Sequence, residues 1–173
     1  MSAIAWPLRL SNGAQEKGFE RTCISCADTA DLEVVADLTH RADPFGWTLR
    51  NFSDAHASGN TLTVLSVDGR TAGIAAVMHV IDESELLEIA VEPAMQGRGY
   101  GKALLKEAMS LARRNGAARM FLEVRESNAR ARKMYTSFGF EETGRRKNYY
   151  PTGNGREDAI LMTAQFSESV SHD

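Results

Sequence analysis

The sequence predicts a mixed α/β fold, a strand meander followed by helical crossovers, in one domain. Three observations carry that expectation. The first half of the chain reads as short β-branched segments joined by a tight turn. The second half alternates amphipathic helical stretches with nearly apolar strands. The length, 173 residues, fits one domain large enough to bury a sizeable core.

Each element has its own signal. Residues 1–20 read as a flexible lead-in, because Pro7, Asn12-Gly13 and Gly18 interrupt any period. A single domain is expected over 21–166, with a flexible polar tail over 167–173. Thr22 to Ser25 suits a short strand. Asp28 or Thr29 can cap a helix through Leu32, Val35, Ala36 and Leu38. A second helical stretch covers Leu49 to His56. Thr61 to Val67 and Thr71 to Val80 flank Asp68-Gly69, a strong hairpin signal. Leu86 to Val91 is a strand ended by Pro93. Lys102 to Arg114 places Leu104, Leu105, Ala108, Met109, Leu111 and Ala112 on one helical face. Met120 to Val124 is nearly apolar, as for a strand covered on both faces. Ser127 can cap a helix through Ala131, Met134, Tyr135 and Phe138. Gly144 to Tyr149 and Asp158 to Phe166 complete six or seven strands and about four helices.

Charge is unevenly distributed. Residues 1–95 carry 6 basic and 14 acidic side chains, whereas 96–148 carry 13 and 5. A basic middle suits a polyanionic ligand and an acidic first half a cationic one, unless the charges interleave on folding. The net charge of −3 argues against a global nucleic-acid binder. The best apolar run, Ile74 to Met78, is far too short to span a membrane. No signal peptide is visible at the N-terminus, so a cytoplasmic protein is expected.

Chemistry concentrates first in Gln96-Gly97-Arg98-Gly99-Tyr100-Gly101-Lys102, between a strand and a helix. Glycines there let the backbone turn sharply and approach a ligand. The N–H groups opening the helix point at an anion, aided by the helix dipole. Ala103 follows Lys102, so the hydroxyl of a magnesium-holding phosphate loop is missing. Lys102 stands where a dinucleotide fingerprint needs its third glycine. The remaining pattern, Gln-x-x-Gly-x-Gly, resembles the acetyl-coenzyme A pyrophosphate loop of the GNAT acyltransferase superfamily.

A more discriminating likeness lies downstream. It comprises Leu122-Glu123-Val124-Arg125, Ser127-Asn128-Ala129, Tyr135, Phe138-Gly139-Phe140, Asn148-Tyr149-Tyr150-Pro151-Thr152 and Gly155-Arg156-Glu157-Asp158-Ala159-Ile160. With Ile89-Ala90-Val91-Glu92-Pro93, these segments resemble the RimI-type ribosomal-protein alanine N-acetyltransferases over about residues 22–164. The resemblance implies a GNAT fold: a mostly antiparallel central sheet of six to seven strands with about four helices on both faces. It implies acetyl-CoA as cosubstrate, no metal, and transfer within a ternary complex without an acyl-enzyme. The implied partner is the N-terminal peptide of a basic ribosomal protein, with no nucleic acid or membrane, and a monomer or weak dimer.

The residues it assigns fit the chemistry. An α-amine, of pKa ~7.7–8, is much more often neutral at pH 7 than a lysine of ~10.4, so it asks less of a base. Glu123 interrupts an otherwise apolar strand, where a charge needs a reason. That reason is an arginine partner, a strand edge, or the general base that the resemblance assigns there. Tyr135 matches the family's general acid for the leaving thiolate, and it also lies on an apolar helix face. Ile89, Ala90 and Val91 match the segment whose main-chain N–H groups serve the acyl oxygen. Gly97, Arg98, Gly99, Tyr100, Gly101 and Lys102 match the pyrophosphate loop. Asn128 matches a coenzyme contact, or simply caps its helix. Asp82, Glu83, Glu85, Glu88 and Glu92 are an acidic cluster able to meet a basic peptide, and Phe45, Trp47, Tyr149 and Tyr150 could wall its channel. A lysine or small-amine acetyltransferase, and a non-catalytic coenzyme A-binding module, are the alternative readings.

Other signals carry little. Cys23 and Cys26 have no second pair and point to opposite faces of a strand. Histidines 40, 56, 79 and 172 lack ligand spacing. No Gly-x-Ser-x-Gly elbow is present.

Overall fold

A computed structural model describes Ile4–Ala5 and residues 20–166 of the chain. The expectations for the rest of the lead-in and for the tail, His172 included, lie outside the described residues. The elements are β1 (Ile4–Ala5), β2 (Thr22–Cys26), α1 (Leu32–Ala42), α2 (Leu49–Ala57), β3 (Thr61–Val67), β4 (Arg70–Val80), β5 (Glu83–Val91), a 3-10 turn at Pro93–Met95, α3 (Tyr100–Arg114), β6 (Arg119–Arg125), α4 (Ala129–Ser137), β7 (Glu141–Thr152) and β8 (Gly155–Gln165). The strands hydrogen-bond in the order β1-β2-β3-β4-β5-β6-β8-β7. The mixed α/β expectation therefore holds, with β1 as an eighth strand. At two residues it is too short to leave a periodic signal.

Contacts divide the chain into two compact units, and the chain passes between them within β4, β5 and α3. One unit contains residues 1–75 and 89–104. Its strand β2 pairs antiparallel with β1 and β3. Val35, Leu38, Phe52, Leu65 and Ile74 are fully buried there. Phe52 meets Trp47 edge-on at 5.2 Å. The start of α1 differs from the expected cap. Asp28 instead folds the turn before it, accepting from the Ala30 N–H at 2.8 Å, and Asp31 stands at the N-cap. α2 opens with a reciprocal capping box between Thr48 and Asn51.

The other unit contains residues 76–88 and 105–173. Strand β6 runs parallel to β5, as expected across a helical crossover, and antiparallel to β8, which also pairs with β7. Leu105, Met120, Leu122, Phe140, Ile160 and Met162 are its large buried residues. His79 has both ring nitrogens engaged, by Ser84 Oγ at 2.8 Å and Asn115 Nδ2 at 3.2 Å, so it is a structural histidine.

Two departures bear on function. β6 alternates instead of being covered on both faces: Met120, Leu122 and Val124 are buried, whereas Phe121, Glu123 and Arg125 are only half-buried on the opposite face. β7 is twice as long as expected and largely exposed, with register shifts between Glu142 and Gly144 and between Arg146 and Tyr150. An exposed edge strand has no apolar alternation to reveal it. Asn148, with φ 52°, lies within the second shift, its N–H held by Asp158 Oδ1 at 2.9 Å.

Candidate active site

Each unit contributes one cluster of chemically competent groups. In the first, β5 ends with Ile89, Ala90 and Val91, and Gln96 Nε2 donates to the Val91 carbonyl at 3.1 Å. Ala90 is buried, and β4 lies close beside it. A Cβ on Gly73 would stand 2.9 Å from the Ala90 carbonyl oxygen and 2.8 Å from Leu104 Cδ1. Only a glycine allows that approach.

Gly97 and Gly99 have φ of +81° and +89°, a region that side chains disfavour. A Cβ at Gly99 would meet nothing within 4 Å, so the concave side of the turn is open. α3 begins two residues earlier than the sequence suggests, and its first bond from outside the helix is Ala103 N–H to the Gly99 carbonyl at 3.0 Å. The N–H groups of Gly97 to Lys102 have no backbone acceptor among the described residues. They are the donors an anion needs at a helix start. Lys102 is exposed and Gly101 half-buried.

Two side chains of this loop, Arg98 and Tyr100, are already engaged. Arg98 Nη1 contacts Glu20 Oε1 at 3.3 Å, and the buried Tyr100 donates its hydroxyl to Glu20 Oε2 at 2.8 Å. Burial first, and the Glu20 bond second, hold the Tyr100 phenol above its ordinary pKa. Glu20 was not singled out from the sequence. It lies 78 positions from Arg98, and no local pattern announces so distant a partner.

The second cluster is centred on β6. Glu85 of β5 stands opposite Phe121, and Glu123 follows two residues later on the same face. Glu123 is 18% exposed, and its Oε1 lies 2.8 Å from Arg146 Nε. The arginine partner weighed from the sequence is therefore real. It does not exclude a role in proton transfer, since the second oxygen has no partner among the described residues. The Glu85 carboxyl is held above the usual range by burial first and Glu123 second, with Arg146 opposing.

Tyr135 sits in α4, 5% exposed, edge-on to Phe140 at 5.9 Å. Burial raises its phenol pKa well above the ordinary value, with Glu88 and then Tyr150 adding to the shift. Tyr150 is raised similarly, by burial and then by Glu123. The guanidinium of Arg125 lies 4.6 Å from the Tyr150 ring centroid. Tyr150 thus feels Glu123, Tyr135 feels Tyr150, and Glu88 acts on both phenols. The sequence proposed Glu123 and Tyr135 as the acid–base pair, Glu85 and Glu88 as part of an acidic cluster and Tyr150 as a channel wall; the structure adds Arg146 and the electrostatic links among them.

Other sequence-predicted features are dispersed. Asn128, not Ser127, caps α4, its Oδ1 accepting from the Ala131 N–H at 3.1 Å. The Ser127 N–H instead donates to Glu157 Oε2 at 3.0 Å. Within the acidic cluster, Glu83 pairs with Arg119, and Glu92 with Arg41 at 2.7 Å. Phe45 is exposed, whereas Tyr149 and Tyr150 contact each other edge-on at 5.0 Å. Cys23 and Cys26 are free thiols. Among the described residues, no His, Cys, Asp and Glu group could hold a metal, and no helix is long and apolar enough to cross a membrane.

Comparison with known proteins places these clusters in context. Residues 27–140 match the model of the acetyltransferase (GNAT) family. The chain is 40% identical over 144 residues to the [ribosomal protein bS18]-alanine N-acetyltransferase of Escherichia coli K12, covering 83% of this chain and 97% of that protein. It is 34% identical over 140 residues to the Haemophilus influenzae protein of the same name, covering 80% and 95%. The crystal structure of the E. coli ribosomal-protein-S18-alanine N-acetyltransferase superposes with a TM-score of 0.82 and 38% identity, covering 88% of this chain and 98% of that one.

Proposed function

The chain belongs to the GNAT acetyltransferase family, and from that premise we propose that it acetylates the N-terminal alanine of ribosomal protein bS18. The observation that carries this reading is the 40% identity extending over 97% of the E. coli enzyme. It spans both clusters rather than the shared glycine loop alone. Acetyl-CoA supplies an activated acetyl thioester when bound. The loop fits its diphosphate, with unpaired N–H groups, an open concave side and the charges of Arg98 and Lys102.

The N–H groups of Gly97, Arg98, Gly99, Tyr100, Gly101 and Lys102 hold the diphosphate. Tyr100 contributes only its main chain, because its ring is buried. Main-chain groups of Ile89, Ala90 and Val91 orient the acyl oxygen. Asn128 has its Oδ1 committed to the helix cap, which leaves its Nδ2 to contact the coenzyme.

Glu123 takes the proton released as the amine nitrogen bonds to the acetyl carbon, directly or through a water. Tyr135 gives its proton to sulfur as the C–S bond breaks. A phenol of ordinary pKa ~10 loses about 2 kcal/mol in protonating a thiolate of ~8.5. The raised pKa of Tyr135 makes that step steeper, so transfer is concerted with bond cleavage. The reading makes the reaction a cytoplasmic one, where a ribosomal protein and acetyl-CoA meet.

Deleting the gene in its source organism and weighing intact bS18 tests the substrate. The proposal predicts loss of one acetyl group from the N-terminal alanine, restored by the plasmid-borne gene. An unchanged bS18 mass would refute it.

A further inference from the structure

Glu123 stands opposite Leu161 of β8, and Ala159, two residues earlier on the same face, stands opposite Arg146 of β7. Glu123 and Arg146 therefore share a face, with β8 between them. Gly144 faces Leu161 from β7 and presents no side chain there. Arg146 reaches over this low ground to place Nε 2.8 Å from Glu123 Oε1. Its guanidinium also lies 5.3 Å from the Tyr149 ring centroid, and Tyr149 meets Tyr150 edge-on. The register shift between Arg146 and Tyr150 brings both kinds of group to the same place.

Resting on the reading of Glu123 as the base, we propose that Arg146 is its positioning residue. Arg146 holds one carboxylate oxygen, directs the other toward the acceptor amine, and sets a positive charge beside Glu123 and Glu85.

The surroundings support this division of labour. Among the described residues, the titratable groups around Glu123 are Glu85 from β5, Arg125 two residues along β6 on the same face, and Arg146 and Tyr150 from β7. β8 sets the uncharged Leu161 opposite Glu123, and its Glu157, four residues earlier on the same face, pairs with Arg125 at 3.1 Å. From α4, Tyr135 is linked to the group through Tyr150, as is Glu88. Arg146 is the cation that acts on both carboxylates of the pair. Two adjacent carboxylates without a cation drive one toward protonation. A protonated Glu123 cannot accept the amine proton. Arg146 is 54% exposed, and a pair that open to water adds little to folding stability. Its effect belongs to the protonation and orientation of the base.

The test compares Arg146→Gln, Arg146→Lys and Glu123→Gln in the full-length enzyme. Turnover, KM for acetyl-CoA, Tm and carbon-13 titration of the glutamate carboxyls are measured. Arg146→Gln is expected to lower kcat about tenfold, as misorientation of a general base does. KM for acetyl-CoA and Tm are expected to stay as they are. The Glu85 carboxyl, which Arg146 holds down, should titrate higher. Arg146→Lys should restore the titration but only part of kcat, since an ammonium lacks the planar fork. Unchanged kcat and titration in Arg146→Gln would overturn the proposal. So would a loss of activity explained by lower Tm, with no shift in titration. Full turnover in Glu123→Gln would instead refute the base itself, which the Arg146 variants alone could not reveal.

Discussion

The phosphate loop and the Glu123 face do their work with different parts of the chain. The loop acts through its backbone. Its donors are consecutive N–H groups, and its two positive-φ glycines shape them. Its prominent side chains, Arg98 and Tyr100, are occupied by Glu20. The Glu123 face acts through side chains gathered from β5, β6, β7 and α4, with β8 as their floor. A backbone site tolerates changes of side chain and fails when the chain path changes. A side-chain site behaves in the opposite way.

That contrast can be tested from its strongest consequence to its weakest. Glu123→Gln, nearly isosteric, should lower turnover by about 10²–10⁴-fold, the usual contribution of a positioned base. Calorimetry should show acetyl-CoA binding unchanged. The pH optimum should move upward, because the amine must then lose its proton to solvent, at ~7.7–8. Tyr135→Phe should depress turnover by about 10–100-fold, again with coenzyme affinity intact. Equal losses of affinity and turnover would instead make Tyr135 a packing residue against Phe140.

Gly99→Val should do the reverse. A β-branched residue at φ +89° costs about 1–3 kcal/mol, so acetyl-CoA affinity should fall by roughly tenfold or more. At saturating coenzyme, turnover should recover. Smallest is Glu20→Gln. Removing a carboxylate that competes with the diphosphate for Arg98 should tighten coenzyme binding about two- to threefold, and most at low salt. Weaker binding would mean that Glu20 prepares Arg98 for the ligand rather than competing with it.

The same contrast explains what could be read from the sequence. The loop is contiguous, so its glycines, lysine and following helix stand together in seven residues. Glu123 was legible because a charge in an apolar run needs a reason, and Tyr135 because it matched a known pattern. Their neighbours were not. Arg146 reaches Glu123 only through the pairing of β7 with β8, and two register shifts break the counting rule that would align them. Tyr150 was noticed as a channel wall, but its link to Glu123 needed the left-handed turn at Asn148. The start of α1 moved to Asp31, which makes no side-chain cap bond, and that of α4 by one residue to Asn128, because neighbouring Asp, Thr, Ser and Asn are equally good cap residues by type.

The most direct measurement uses purified enzyme, acetyl-CoA and two synthetic peptides, with product mass as the readout. One peptide carries the free alanine N-terminus of bS18; the other has that amine blocked but retains its lysines. The account predicts one acetyl group on the first peptide and none on the second. Acetylation of the blocked peptide, or no product on either while coenzyme binds, would contradict it.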